Sequence, residues 1–414
     1  MKISVIGLGY IGLPTAAIFA SNGFSVNGID LNEEIVSKVN DGKIHIVEPH
    51  LENLVKEAIK KGYLKAQKEI SESDVYIIAV PTPFKENHEP DLTYVESAIK
   101  SLSKYLKKKD LVIIESTCPV GTTEKMSKLL SEIRPDLKFP EYKDEKSADI
   151  SIVYCPERVL PGNIIDEFNR NDRIIGGVSK KCSIEALKLY KNLIKAECFV
   201  SDCRTAELVK LAENSFRDVN IAFANELSII SDDLKIDVRE LINLANKHPR
   251  VNILSPGAGV GGHCIAVDPW FIVHSAPENS KIIKSAREIN DEKPIYLLNK
   301  IKGEISDLNK KPRDLTISTF GLSFKPDIDD LRESPALEIS KSLNQIGFKK
   351  HNIVEPNIDQ LPKGIFKPGD KLIGFEEALN ADILIFLVNH SEFKKIKMDK
   401  IKNKLIFDIS GILS

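Results

Sequence analysis

The 414-residue sequence predicts an α/β protein in which two parallel-sheet domains are joined by a long central helix and a helical middle domain. Three observations carry this. Short β-branched runs alternate with amphipathic stretches from the amino terminus, the pattern of repeated βαβ units. From Thr205 the apolar spacing turns helical, with Leu208, Leu211, Ala212 and Ser215 on one face, then Val219, Ala222, Phe223 and Leu227. After a polar, linker-like stretch at Gly303–Arg313 the strand and helix alternation returns. Domains are therefore expected at 1–203, 204–302 and 303–414, in keeping with roughly 100–200 residues per domain.

In the first domain strands are expected at Lys2–Ile6, Ser25–Ile29, Val75–Val80, Leu111–Glu115 and Ser151–Tyr154, with one more near Arg173–Ile175. A glycine-rich loop at 256–262 interrupts the helical middle, which resumes with Ile282, Ile283, Ala286 and Ile289. The last domain carries strand candidates at Thr316–Phe320, Ile353–Glu355, Ile383–Val388 and Leu405–Ile409, and a helix at Pro335–Gln345.

An apolar fraction of 42% and a charged fraction of 29% can build such cores. The net charge of −2 supplies no global field for nucleic acid or an anionic membrane, so neither partner is expected. Met1 runs straight into a strand with no basic and apolar leader, which points to the cytoplasm. The six cysteines are scattered without a CxxC pair; free thiols are expected rather than disulfides, and no metal site.

Gly7-Leu-Gly9-Tyr10-Ile11-Gly12 follows the first strand and opens a helix, and Asp30 ends the second strand. Gly7 permits a tight turn, Gly9 close approach of a pyrophosphate to backbone N–H groups, and Gly12 close helix–strand packing. Both sheet domains thus read as Rossmann-like, and a dinucleotide is expected at the first, with Tyr10 and Ile11 in the contacting loop. Asp30 would meet the adenosine ribose and repel a 2′-phosphate, which favours NAD over NADP; it can also cap the next helix. Thr82 in Val80-Pro-Thr-Pro83 and Thr117 in Ser116-Thr-Cys-Pro-Val-Gly121 stand at later strand ends, as cofactor or active-site candidates or as plain turn residues.

Lys210, Asn214 and Arg217 recur at i, i+4 and i+7 on the central helix, either as a working face or as a solvated one. Cys264 ends the run Ser255-Pro-Gly-Ala-Gly-Val-Gly-Gly-His-Cys264, and Asp268 follows four residues on. A thiol beside a hydride acceptor can trap an aldehyde and permit a second oxidation to the acid. His263 and Cys264 are adjacent, and adjacent side chains usually diverge, so a cysteine–histidine pair is not expected.

These motifs, with Cys155-Pro-Glu-Arg158, Lys210-x-x-x-Asn214, Gly261-Gly-His-Cys264 and Phe324-Lys-Pro-Asp-Ile-Asp-Asp-Leu-Arg-Glu-Ser-Pro335, resemble the UDP-sugar 6-dehydrogenase family over the whole chain. The resemblance implies a four-electron oxidation of a sugar C6 alcohol with two NAD and one water. Cys264 matches the nucleophile that forms a thiohemiacetal and then a thioester. Lys210 matches the acid/base or oxyanion lysine, with Asn214 alongside. Asp268 matches the carboxylate near the thiol, and Thr117 and Glu157 match positions that hold or activate water. It further implies that Arg158, Val159, Lys210, Asn214, Arg217, His248, Arg250 and Gly261 contact the nucleotide sugar, with Phe324 and Lys325 from the carboxyl domain, and that Arg332 reaches the cofactor. Locally, Arg332 with Asp329 and Asp330 reads equally as a surface ion cluster, and His248 with Arg250 as a helix-end charge pair.

UDP-glucose members typically carry Pro-Glu-Phe-Leu and a second acid where this chain has Arg158 and Pro161. Ile44–Pro49, Pro81–Lys85, Glu213–Asn220 and Lys247–Asn252 are similar to the branch that takes UDP-N-acetyl-D-mannosamine. UDP-N-acetylglucosamine, UDP-glucose, a two-electron hydroxyacid dehydrogenase and a non-catalytic NAD sensor stay as alternatives. The family also forms dimers or larger assemblies through the central helix, so at least a homodimer is expected.

Overall fold

The computed structural model describes residues 1–144, 147–159, 162–191 and 193–413. Pro161, read above for sugar choice, lies outside the described residues. The chain forms two units, Met1–Glu213 and Asn214–Ser414.

The first unit is built on one eight-stranded sheet. Its strands are β1 (Lys2–Ile6), β2 (Ser25–Ile29), β3 (Leu64–Gln67), β4 (Val75–Ile78), β5 (Leu111–Ile114), β6 (Ser151–Tyr154), β7 (Arg173–Gly177) and β8 (Cys198–Asp202), in the order 3-2-1-4-5-6-7-8. Successive residues of the central strands feed opposite cores. Val5, Ile77 and Ile113 join Leu13, Phe19 and Val55 on one face, whereas Ile6, Ile78 and Ile114 join Ile99, Leu102 and Met126 on the other. Burial on both faces is why these strands read as continuous apolar runs.

One pair departs from the all-parallel expectation: β7 runs antiparallel to β6, with Val153 opposite Gly177. The intervening helix, Ile164–Arg170, has seven residues. That is too short to carry the chain back along the sheet, so the next strand returns in the opposite sense. The sequence reading also omitted β3 and β8, the two edges of the sheet: β3 is only four residues and carries a lysine, and the apolar run of β8 is only Cys198-Phe-Val200.

In the second unit β9 (Thr316–Phe320), β10 (Lys350–Val354), β11 (Ile383–Phe386) and β12 (Leu405–Asp408) form a parallel sheet in the order 10-9-11-12. Ile317, Ile383 and Ile385 pack against Leu297, Ile301, Ile339 and Leu343. Phe320 stacks on Phe386 on the other face, centroids 4.5 Å apart. Ser334 starts the helix Pro335–Asn344 by accepting the Leu337 N–H, with Pro335 at the first turn.

The central helix spans Cys203–Leu234 and the later one Lys281–Ser306. The expected linker at 303–313 is therefore helical as far as Ser306, because Leu297, Ile301 and Ile305 continue a buried i, i+4 line that the exposed Gly303 does not interrupt. The buried face of the central helix in this unit is Ser215, Asp218, Ala222 and Asn225, and Phe223 is 51% exposed. No helix among the described residues is long and apolar enough to cross a membrane.

His351, on β10, pairs Nε2 with Thr319 Oγ1 at 2.9 Å and Nδ1 with Asn344 Nδ2 at 3.3 Å. Burial drives its pKa down to about 4, against the opposing pull of Asp370. A histidine held neutral supports the fold above its ordinary pKa of 6.5, and that support is lost as pH falls towards 4. The thermal midpoint should drop across that window, and His351→Gln should flatten the drop; an unchanged slope would remove His351 as its source.

Candidate active site

Each glycine of the amino-terminal loop has a different neighbour. Gly7 has φ +92°, and a Cβ there would lie 2.4 Å from the Ala79 carbonyl oxygen; a Cβ on Gly12 would lie 1.8 Å from the Gly7 carbonyl oxygen. A Cβ on Gly9 would meet nothing within 4 Å, which leaves room for a ligand at the start of the helix Gly12–Ser21. Tyr10 and Ile11 are half-buried in this loop. Asp30 accepts the Leu8 N–H at 3.0 Å and the Asn32 N–H at 2.9 Å, while Asn32 caps the helix that follows. A cavity of about 750 Å³ opens here, lined by Gly7, Asp30, Leu31, Val80, Tyr94 and Tyr105. Its volume, the open Gly9 and the acid at the second strand end fit a dinucleotide. Ser116 Oγ, 2.9 Å from the Val80 N–H and 2.8 Å from its carbonyl, ties together the two strand ends that carry Thr82 and Thr117.

Beyond β6 the chain passes through Cys155-Pro-Glu-Arg158. Glu157 is nearly buried; one oxygen accepts the Arg158 N–H at 2.8 Å and the other meets Arg173 at 2.9 Å. Arg158 reaches Glu213 through two nitrogens, at 3.0 and 2.5 Å, and Val159 is half-buried beside it. Glu48 holds this segment from a distance by accepting the Gly162 and Ile164 N–H groups, each at 2.7 Å. At the base of the central helix Glu207 accepts the Gly121 and Thr123 N–H groups, and burial lifts its pKa to about 7. Lys210 is half-buried one turn on. Glu48 and Glu207 had no sequence signal, since their partners lie about 85 to 115 residues away.

In the second unit Asn214 donates to Asp268 at 2.5 Å, and Asp268 is 2% exposed. The Cys264 carbonyl accepts the Asp268 N–H at 2.8 Å, so the thiol-bearing residue stands one turn before the helix Asp268–Ser275. Cys118, Cys155, Cys182 and Cys203 are buried and Cys198 half-buried, whereas Cys264 is exposed. The spacing of Asn214, Asp268 and Cys264 in sequence has become one local constellation. Arg217, one turn beyond Asn214, is exposed.

The glycine loop before the thiol serves chain packing as well as openness. A Cβ on Gly261 would lie 2.4 Å from the Glu333 carbonyl oxygen, and one on Gly262, at φ +84°, would strike the Phe324 ring at 2.8 Å. Phe324 also lines a cavity of about 540 Å³ with Arg239, Ser255, Gly257, Ser323 and Asn389. It opens where β9 and β11 end, the usual place for ligands in parallel sheets. Arg239, which pairs with Asp408 at 3.0 Å, and Asn389 were not found by sequence reading. Lys325 is half-buried next to Phe324. Arg332 is clasped by Asp330, as the ion-cluster reading had it. His248 and Arg250 are exposed on a turn where the Arg250 N–H meets His248 Nδ1. No group of three or more metal-ligating side chains occurs among the described residues.

Comparison with known proteins gives three family matches: the UDP-glucose/GDP-mannose dehydrogenase family NAD binding domain over residues 1–194, its central domain over 204–292 and its UDP binding domain over 318–414. The chain is 57% identical to the UDP-N-acetyl-D-mannosamine dehydrogenase of Campylobacter jejuni, over 97% of this chain and 98% of that one. It is 51% identical to the NDP-N-acetyl-D-galactosaminuronic acid dehydrogenase of Ralstonia nicotianae, over 100% and 96%. The solved UDP-D-ManNAc dehydrogenase of Pyrococcus horikoshii superposes with a TM-score of 0.90 at 38% identity, covering 100% of this chain and 96% of that one.

Proposed function

The chain belongs to the UDP-glucose/GDP-mannose dehydrogenase family of NAD-dependent enzymes, and from that premise we propose that it oxidises the C6 alcohol of UDP-N-acetyl-D-mannosamine to UDP-N-acetyl-D-mannosaminuronate. The observation that carries the reading is the exposed Cys264 one helical turn before a buried Asp268 that holds Asn214. The balance is alcohol, two NAD⁺ and water going to carboxylate, two NADH and three protons.

NAD, when bound, accepts the hydride in each step. Lys210 handles the hydroxyl proton in the first oxidation and offsets charge on the tetrahedral centre in the second. Asn214, oriented by Asp268, supports the same oxyanion. The Cys264 thiolate adds to the aldehyde; hydride loss from the thiohemiacetal leaves a thioester, and water held by Thr117 and Glu157 releases the acid. Gly7, Gly9, Tyr10, Ile11, Gly12, Asp30, Thr82, Thr117 and Arg332 serve the cofactor. The nucleotide sugar is met by Arg158, Val159, Arg217, His248, Arg250 and Gly261, with Phe324 and Lys325; guanidinium forks suit its diphosphate.

A homodimer in the cytoplasm completes the reading. Phe216, Phe223 and Ile230 are 69, 51 and 45% exposed at seven-residue intervals along the central helix, an apolar stripe that a second copy would cover.

NADH released per mole of limiting sugar tests the proposal on UDP-N-acetyl-D-mannosamine, UDP-N-acetylglucosamine, UDP-glucose and, because of the Ralstonia relative, UDP-N-acetylgalactosamine. Two equivalents from the mannosamine alone are expected. One equivalent would sink the double oxidation, and two from another sugar would keep the chemistry and replace the substrate.

A further inference from the structure

Two buried carboxylates in the first unit meet one buried guanidinium. Arg173, on β7, is 3% exposed; its Nη2 lies 2.9 Å from Glu157 and its Nη1 3.7 Å from Glu115. The rings of Phe168 and Tyr190 flank it at 4.4 and 4.8 Å. Glu115 accepts the Tyr190 hydroxyl, at 3.3 Å, on the oxygen that faces Arg173 and the Thr15 hydroxyl, at 3.2 Å, on the other. Thr15 belongs to the helix that the dinucleotide loop opens. Packing alone does not ask for this cluster, because a buried ion set is a weak source of stability against apolar residues of the same volume.

We infer that Arg173 is a positioning residue for the water step: its guanidinium, flanked by the Phe168 and Tyr190 rings, holds the Glu157 carboxylate in its working place. The inference rests on the role proposed above for Glu157. Two acids on one arginine leave an excess negative charge in a dry site, and such a site takes up a proton rather than hold it. Burial, reinforced by Glu157 and opposed by Arg173, lifts Glu115 to about 8. Cys155, 3.8 Å from Arg173, is lifted by burial to about 12, and burial raises Tyr190 well above the phenol range, so neither adds a charge at neutral pH. Glu115 therefore holds the proton at pH 7, and the positive charge of Arg173 is committed to Glu157. Above pH 8 Glu115 ionises and competes for the arginine.

The test is the steady-state kcat of the full-length enzyme, followed through pH 8, for wild type, Glu157→Gln, Arg173→Lys and Glu115→Gln. Glu157→Gln should lose about 10²-fold, the usual worth of a lost acid/base group. Arg173→Lys keeps the charge and loses the fork; it should lower kcat by tenfold or more, on the scale of about 10²-fold for a misplaced group, with both KM values held. Glu115→Gln, nearly isosteric and safe should the lysine variant not fold, should abolish the titration step expected of wild type near pH 8. Wild-type kcat in Glu157→Gln would overturn the water role itself. An impaired Glu157→Gln, with wild-type kcat and an unaltered pH profile in the other two, would overturn only the positioning by Arg173.

Discussion

Cys264→Ser is expected to lower formation of the acid, and with it the second equivalent of NADH, by at least ~10³-fold, on the scale seen when a catalytic nucleophile is removed. The thiolate is the species that adds to an aldehyde; a thiol with a pKa near ~8.5 supplies some of it at neutral pH, whereas a serine hydroxyl supplies almost none. Without the covalent adduct the aldehyde has no route to a thioester, so the second hydride step stops. Because Cys264 is exposed, exchanging sulfur for oxygen leaves the core untouched. The thermal midpoint and NAD binding, followed by fluorescence titration, should be those of wild type. Cys182→Ser is the control: Cys182 is buried, its sulfur meets Ser179 Oγ at 3.3 Å, and full turnover should survive. Two equivalents of NADH released by Cys264→Ser at the wild-type rate would dismiss the thioester route.

Arg287→Ala should cost about 3–5 kcal/mol, the usual price of removing one partner of a buried ion pair. Arg287 and Asp218 are both fully buried, with Nη1 2.5 Å from Oδ1, and a second nitrogen of Arg287 reaches Asp291. Asn290 donates to the same Asp218 oxygen at 2.8 Å and receives the Asn225 amide at 2.9 Å, and Asn225 accepts the Gly257 N–H. The chain of bonds thus runs from the later helix to the loop leading to Cys264. Burial already lifts Asp218 to about 6 against the pull of Arg287; without the arginine it would be stranded or protonated. A fall in thermal midpoint on the order of 10 °C is expected by calorimetry for a unit of this size. Arg204→Ala should cost under ~1 kcal/mol, because the Arg204–Glu124 pair is half exposed. Similar losses from both variants would remove the buried network as a special source of stability.

Much of this was legible without coordinates. The central strands announced themselves because burial on both faces forces apolar runs, and the three glycines announced a ligand loop because each stands where a side chain would collide or block. The edges β3 and β8 did not, since an edge strand is half in water: a lysine interrupts Leu64–Gln67, and the three apolar residues Cys198-Phe-Val200 are too short a run to mark a strand. Phe223 misled in the other direction: helical periodicity marks an apolar residue without saying whether it faces its own core or, as its exposure allows, another surface.

Local order in the interior, then, was determined by sequence alone: which central segments are strands and helices, where the ligand loop and the thiol stand, and which residue types can do the chemistry. Tertiary structure decided the partnerships. It gave Glu157 to Arg173, Asn214 to Asp268, Glu48 to the loop beyond β6 and Arg239 to the second cavity, and it reversed β7. The physical reason is range. Propensity and periodicity arise from neighbours within a turn or a pleat, whereas a buried polar group must find its partner wherever the chain returns.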